Sequence, residues 1–163
     1  MLKDAHCSYC GVRYSDESPW PRSCGGCGAI TYRNPIPVAV ALVPVDGGLL
    51  CVRRNIEPGR GQLALPGGYI DFGETWQEAC RRELVEETGL VVDAEEVSLF
   101  DVASAPKGGP ILIFGLARER PIEFLEGIQP SDETMECVVI REAITLAFPL
   151  HTRMMAAFFN RET

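Results

Sequence analysis

The stretch from Leu65 to Leu90, LPGGYIDFGETWQEACRRELVEETGL, limits what this chain can fold into more than any other. Thr75-Trp-Gln-Glu78 has the spacing of a capping box, in which a hydroxyl and a carboxylate close each other's free backbone N–H, and Gly89 is a natural stop. The spacing predicts a helix over about Trp76 to Thr88. On that helix Glu83, Glu86 and Glu87 stand at i, i+3 and i+4, so three carboxylates share one face at ~100° per residue. Trp76, Ala79, Cys80 and Leu84 lie on the same side. Like charges crowded on a semi-apolar face destabilise a helix and raise carboxylate pKa values unless cations sit among them. A hard divalent ion such as Mg²⁺ or Mn²⁺ answers that need, because it binds clustered oxygens, neutralises phosphate oxygens and activates water.

Four of the 7 cysteines form a second pattern. Cys7-Ser-Tyr-Cys10-Gly and Cys24-Gly-Gly-Cys27-Gly are two CxxC turns, each followed by glycine and separated by 13 residues. Two residues between ligands let one tight turn aim both sulfurs at one ion, which is the spacing of a structural four-thiolate Zn²⁺ site. A redox CxxC needs a strand-to-helix setting that this Gly/Pro-rich stretch lacks. An odd cysteine total argues against a complete disulfide framework, and Cys51, Cys80 and Cys137 sit in apolar segments as ordinary buried residues.

The 163 residues leave room for one domain and a small appendage. A net charge of -8 has the wrong sign for a protein that coats nucleic acid or an acidic membrane. The most apolar stretch, Ile36 to Val45, is cut by Pro37 and Pro44 and is too short to span a bilayer, and MLKDAHCSYC lacks the apolar core of a secretory signal. A cytoplasmic protein with no membrane partner is expected. Turn composition ends near Asn34-Pro35, which places a ribbon over 1–33 and a second domain over 34–163. Strands are expected over Pro37 to Val45, Leu49 to Arg53, Val97 to Val102, Ile111 to Ala117 and Cys137 to Ile140, with a hairpin at Asp46-Gly47-Gly48 and a closing helix over Leu150 to Asn160. Mixed strands with two or three helices indicate an α/β or α+β sandwich.

Gly68, Glu74 and Arg82-Glu83-Leu84-Val85-Glu86-Glu87-Thr88-Gly89-Leu90 fill every fixed position of the Nudix box, and on these residues the chain resembles the Nudix hydrolase family. The resemblance implies an α/β/α sandwich with a mixed sheet and a loop-helix-loop that holds Mg²⁺ or Mn²⁺. It makes Glu83 and Glu87 metal ligands, Glu86 a further ligand or orienter, the Gly68 carbonyl a ligand, Arg82 an orienter of a helix glutamate and Glu74 an anchor of the loop. The family's base is often a glutamate in a later loop. Glu133 and Glu136, just before the strand at Cys137, are the candidates, with a solvated loop the alternative for each.

A four-cysteine ribbon ahead of a Nudix domain resembles NADH pyrophosphatases and a shorter group of FAD diphosphatases and ADP-ribose-type pyrophosphatases. The Ser-Gln-Pro-Trp-Pro-Phe-Pro-type motif of the NADH enzymes is not in this sequence, so the shorter group is the nearer likeness. The resemblance therefore implies hydrolysis of the pyrophosphate in FAD or ADP-ribose with release of AMP. An RNA-end hydrolase and a nucleotide-sensing module without catalysis are the alternatives. Arg53, Arg54 and Arg60 are candidates for the diphosphate, one more readily than all three, since an exposed arginine is usually just solvated. Tyr69, Phe72, Phe114 and Phe148 are candidates to stack on a flat base, with core packing the default for each. The ribbon is expected to pack on the enzyme domain or to help form a homodimer.

Overall fold

The computed structural model describes residues 4–128 and 130–161, in two units, Met1–Pro35 and Ile36–Thr163. In the first, β1 (Arg22–Ser23) pairs antiparallel with β2 (Ile30–Thr31). The two CxxC turns are built alike. Gly11 N–H donates to the Cys7 carbonyl at 2.9 Å and Gly28 N–H to the Cys24 carbonyl at 2.8 Å. Both glycines take the left-handed backbone, at φ 75° and 74°, that a side chain would strain.

The second unit runs β3 (Pro37–Leu42), β4 (Pro44–Val45), β5 (Gly48–Arg54), β6 (Leu63–Ala64), β7 (Gly67–Tyr69), α1 (Trp76–Thr88), β8 (Ser98–Ser104), β9 (Ile111–Leu116), β10 (Thr134–Ile140) and α2 (Pro149–Phe159). One sheet has the order β7-β3-β9-β8 and is mixed, because β3 and β9 are parallel and the other pairs antiparallel. The other centres on β5, with β10 along one edge and β4 and β6 along the other.

Alternation along β3 makes the sandwich. Ala39 and Ala41 join a core cluster with Ala79, Cys80 and Leu84 of α1, while Val40 and Leu42 join another with Met154, Met155 and Phe158 of α2. A strand covered by a helix on each face must be apolar at every position, which is why this run reads as continuous rather than alternating. The expected single strand over Pro37 to Val45 divides at Val43, since Pro44 has no N–H to continue the ladder and β4 joins the other sheet. The capping box forms as its spacing predicts. Glu78 N–H donates to Thr75 Oγ1 at 3.2 Å, Thr75 N–H donates to Glu78 Oε2 at 2.8 Å, and Gly89 closes the helix by donating to the Val85 carbonyl.

Cys51 and Cys80 are fully buried and Cys137 half-buried. Among the described residues no helix is long and apolar enough to cross a membrane.

Candidate functional site

A cleft of about 570 Å³ opens in the second unit where β3, β7, α1 and α2 face one another. Glu83, Glu86 and Glu87 of α1 line it together with Gly67, Gly68 and Glu133. Glu87 is only 5% exposed and accepts the Gly67 N–H at 3.0 Å. Burial, with the neighbouring charges of Glu83 and Glu133 adding to it, pushes its carboxyl up to about 8. Burial also raises Glu83, against the pull of Arg82. These are groups that a cation would hold ionised.

Arg82 is fastened at every nitrogen. Nε donates to Glu74 Oε1 at 2.9 Å, Nη1 to Glu83 Oε1 at 2.7 Å and to Glu86 Oε2 at 3.1 Å, and Nη2 to the Tyr69 carbonyl at 2.8 Å and to Glu74 Oε2 at 3.1 Å. This rigid fork ties the β7 loop to α1 and fixes two of the three glutamates. The Arg82 hydrogen bonds hold the Glu74 carboxyl below the usual carboxylate range. The acidic cluster is thus organised from behind by one arginine.

Gly68 lies directly under Glu83. A Cβ added there would sit 2.5 Å from the Glu83 Cδ and 2.6 Å from its Oε2. At the glutamate end of the cleft the donors of Glu83, Glu86, Glu87 and Glu133 are all carboxylate oxygens, which fit Mg²⁺ or Mn²⁺ rather than a softer ion. The glutamates nonetheless do not gather as the thiols do. Among the described residues the one group of three or more ligand side chains with every donor atom within 4.8 Å is Cys7, Cys10, Cys24 and Cys27. Its Sγ atoms approach at 3.7 Å (Cys7 to Cys27) and 3.5 Å (Cys10 to Cys24). These gaps exceed a disulfide bond and match the ~3.8 Å edge of a tetrahedron with Zn–S bonds of about 2.3 Å. Backbone N–H groups of Cys10 and Tyr9 push the Cys7 thiol down to about 6, and those of Cys27 and Gly26 lower Cys24, so both favour the thiolate that a metal needs.

The later candidates separate. Glu133 lines the cleft, on a turn where Ser131 Oγ accepts the Glu133 and Thr134 N–H groups. Glu136 does not line it: it stands opposite Arg53 in the β5–β10 register and pairs with that arginine at 2.6 Å. Of the three arginines, Arg54 alone lines the cleft, braced by the Pro58 carbonyl at 2.8 Å and the Phe148 ring at 5.1 Å. Neighbours on a strand project to opposite faces, so Arg53 turns away to Glu136 and Gly61. Arg60 is exposed, with Asn55 Oδ1 3.2 Å from its Nη2.

The aromatic candidates also divide. Phe114 is buried core and Phe148 lines the cleft, but core packing, the default for all four, fails for Tyr69 and Phe72. Tyr69 is 62% exposed at the cleft rim, and Phe72 stands free in solvent because the turn before Thr75 carries it past the end of β7.

The cleft has an apolar side that the sequence alone did not point to: Val38, Val40, Leu65, Leu112 and His151. His151 lies on the buried face of α2 with Met154, Met155 and Phe158, at i+3, i+4 and i+7. That periodicity was visible in the sequence. Its Nδ1 accepts the Leu65 N–H at 3.2 Å, and its ring stands edge-on to Phe114 and Phe148 at 5.9 and 5.0 Å. Burial, with help from the Arg54 charge, lowers its pKa to about 4. Below pH 6.5 the unfolded chain binds a proton here that the folded chain refuses until about pH 4, so this group costs stability as pH falls through that window. The loss reaches roughly 3 kcal/mol, since each pH unit crossed between those two values costs ~1.4 kcal/mol. Urea unfolding of wild type and His151→Leu from pH 7 to pH 4 should give a stability difference that shrinks by about that amount. Parallel curves would contradict the assignment.

The family model for the NUDIX domain matches residues 34–112. An ADP-ribose pyrophosphatase of Methanocaldococcus jannaschii is 38% identical over 79 residues, 48% of this chain and 46% of that protein. An NAD-capped RNA hydrolase NudC of Shigella flexneri is 28% identical over 88 residues, 53% of this chain and 34% of that protein. The match thus spans less than half the length of either relative. In fold, the chain resembles the crystal structure of a NUDIX hydrolase from Nitrosomonas europaea at a TM-score of 0.73 and 23% identity, over 94% of this chain and 89% of that one.

Proposed function

Because this chain carries a Nudix domain, we propose that it is a divalent-metal-dependent pyrophosphohydrolase that cleaves a nucleoside diphosphate joined to a second group, ADP-ribose or FAD, and releases AMP. One observation carries the reading: a single cleft joins the oxygen cluster of Glu83, Glu86, Glu87 and Glu133 to a lone arginine and an apolar wall. Glu83, Glu87 and the Gly68 carbonyl, with Glu86 beside them, would hold Mg²⁺ or Mn²⁺. An ion bound there supplies positive charge to the phosphate oxygens and acidifies water. Arg54 pairs with the diphosphate by charge-assisted hydrogen bonds. Glu133 takes the proton of the attacking water. Arg82 is a positioning residue that holds Glu83 and Glu86 in place, and Glu74 secures Arg82.

ADP-ribose is favoured by the M. jannaschii relative, at 38% identity against 28% for the NudC relative. The NudC relative supports an NAD-capped RNA as the second reading, against which the net charge of -8 weighs. A panel of ADP-ribose, FAD, NADH, diadenosine polyphosphates and NAD-capped RNA, assayed with Mg²⁺ and Mn²⁺, tests both. Metal-dependent release of AMP from ADP-ribose or FAD is expected. Cleavage of capped RNA alone would move the assignment to the second reading, and binding without turnover would make the domain a sensor.

For residues 1–33 the reading is a structural zinc ribbon ahead of the catalytic domain at 34–163. Elemental analysis after gel filtration should find about one Zn²⁺ per chain, since thiolate binding and folding reinforce each other. Absence of zinc with all four thiols freely titratable in native protein would end that reading.

A further inference from the structure

The His151 imidazole accepts a backbone N–H at Nδ1, so as a neutral ring it carries its own proton on Nε2. No described protein group accepts that proton. Among the described residues the side-chain atoms fully enclosed without a partner are Arg120 Nε and Thr134 Oγ1, so His151 Nε2 opens onto the cleft that His151 lines. A donor held this rigidly, between two aromatic rings and a backbone bond, meets its ligand without reorganising.

Its surroundings specify the ligand. Register sets Val38 beside Leu112 and Tyr69, and with Val40, Leu65 and Phe148 these form a wall with little hydrogen-bonding capacity. A sugar would strand its hydroxyls there, whereas a flat base would satisfy its apolar faces and present an in-plane acceptor to a single N–H. Arg54, over the Phe148 ring, lines the same cleft and its charge reaches both His151 and Glu87, so it is within reach of a phosphate attached to a nucleoside held at His151.

We propose that His151 is a specificity residue that binds the nucleobase of the substrate, Nε2–H donating to a ring nitrogen or carbonyl of a base laid against Val38, Leu112 and Phe148. This rests on the reading of the cleft as a nucleotide site, so the decisive test is binding rather than turnover. His151→Asn keeps an oxygen where Nδ1 accepts the Leu65 N–H but is too short to replace Nε2. His151→Gln reaches the Nε2 position with an amide N–H.

Calorimetric titration of the full chain with AMP and with ribose 5-phosphate separates base from sugar-phosphate. AMP should bind about tenfold more weakly to H151N than to wild type and recover to within about threefold in H151Q, with ribose 5-phosphate unmoved in all three. In turnover of ADP-ribose, H151N should raise KM by about the same factor and leave kcat within about threefold. Should H151N fail to fold, ¹⁵N spectra of wild type decide: AMP should shift His151 Nε2 and ribose 5-phosphate should not.

Equal AMP affinity in wild type and H151N, equal loss for both ligands, an unmoved Nε2 or no AMP binding by wild type would each overturn the inference. AMP binding that depends on His151 in a chain with no turnover would leave it standing while removing the proposed activity.

Discussion

Glu87→Gln should reduce kcat by at least ~10²-fold, of order 3 kcal/mol of transition-state stabilisation, and leave the fold intact. Glutamine has nearly the same volume and its amide oxygen still accepts the Gly67 N–H, so the packing around this 5%-exposed side chain survives. What is lost is one negative oxygen from the cluster proposed to concentrate charge on a cation. The metal-free variant should gain stability over wild type as pH rises from about 4.5 to about 8, the full gain being present above pH 8, because the wild-type carboxyl is pushed up to about 8 in the folded cluster. The sign follows from a raised folded pKa: stability present below the unfolded value of about 4.5 is lost as pH rises through 8. A merely solvated glutamate would show no such loss of turnover, so steady-state kinetics at saturating Mg²⁺ and urea unfolding at pH 9 distinguish the two.

Adjacent glycines should fail for different reasons. At Gly67, φ is 154° and an added Cβ would lie 2.7 Å from the Val40 Cα and against the Ala39 carbonyl, all backbone of β3 that cannot yield without parting the β3–β7 pair. Gly67→Ala should cost about 3 kcal/mol of stability from overpacking alone. At Gly68 the collision is with the carboxylate of Glu83, the far end of a side chain, which can yield by giving up its hydrogen bond to Arg82 while the backbone stays in place. Gly68→Ala should therefore keep its melting temperature within a few degrees, displace Glu83, and lower kcat by about 30-fold, or ~2 kcal/mol. Equal stability and equal activity in both variants would show that neither contact matters.

Much of this was legible in the sequence, for local reasons. The helix came from a capping box and a glycine stop, the acidic face from 3.6-residue periodicity, and the thiol cluster from CxxC spacing, each contained within a few turns of chain. The assembly of the cleft was not legible, because it depends on which sheet each strand joins. Short β6 and β7 carry too few residues for an alternation signal, yet β7 delivers Gly67 and Gly68 to the glutamates. Arg53 and Arg54 are equivalent in sequence and differ only in which face of β5 they occupy. Glu133 and Glu136 are separated by a register shift between Thr134 and Glu136. His151, far along the chain, reaches Leu65 only through the docking of α2.

All of the proposed chemistry depends on the acidic face of α1 holding a divalent ion for pyrophosphate cleavage. Electron paramagnetic resonance of Mn²⁺ titrated into the full chain tests this most directly, since free and bound ion are counted separately. Wild type should bind Mn²⁺ with its ribbon zinc retained, and Glu87→Gln should weaken that binding by about tenfold or more. Wild-type protein that leaves all the Mn²⁺ free, or that binds it identically after Glu87→Gln, would contradict the claim.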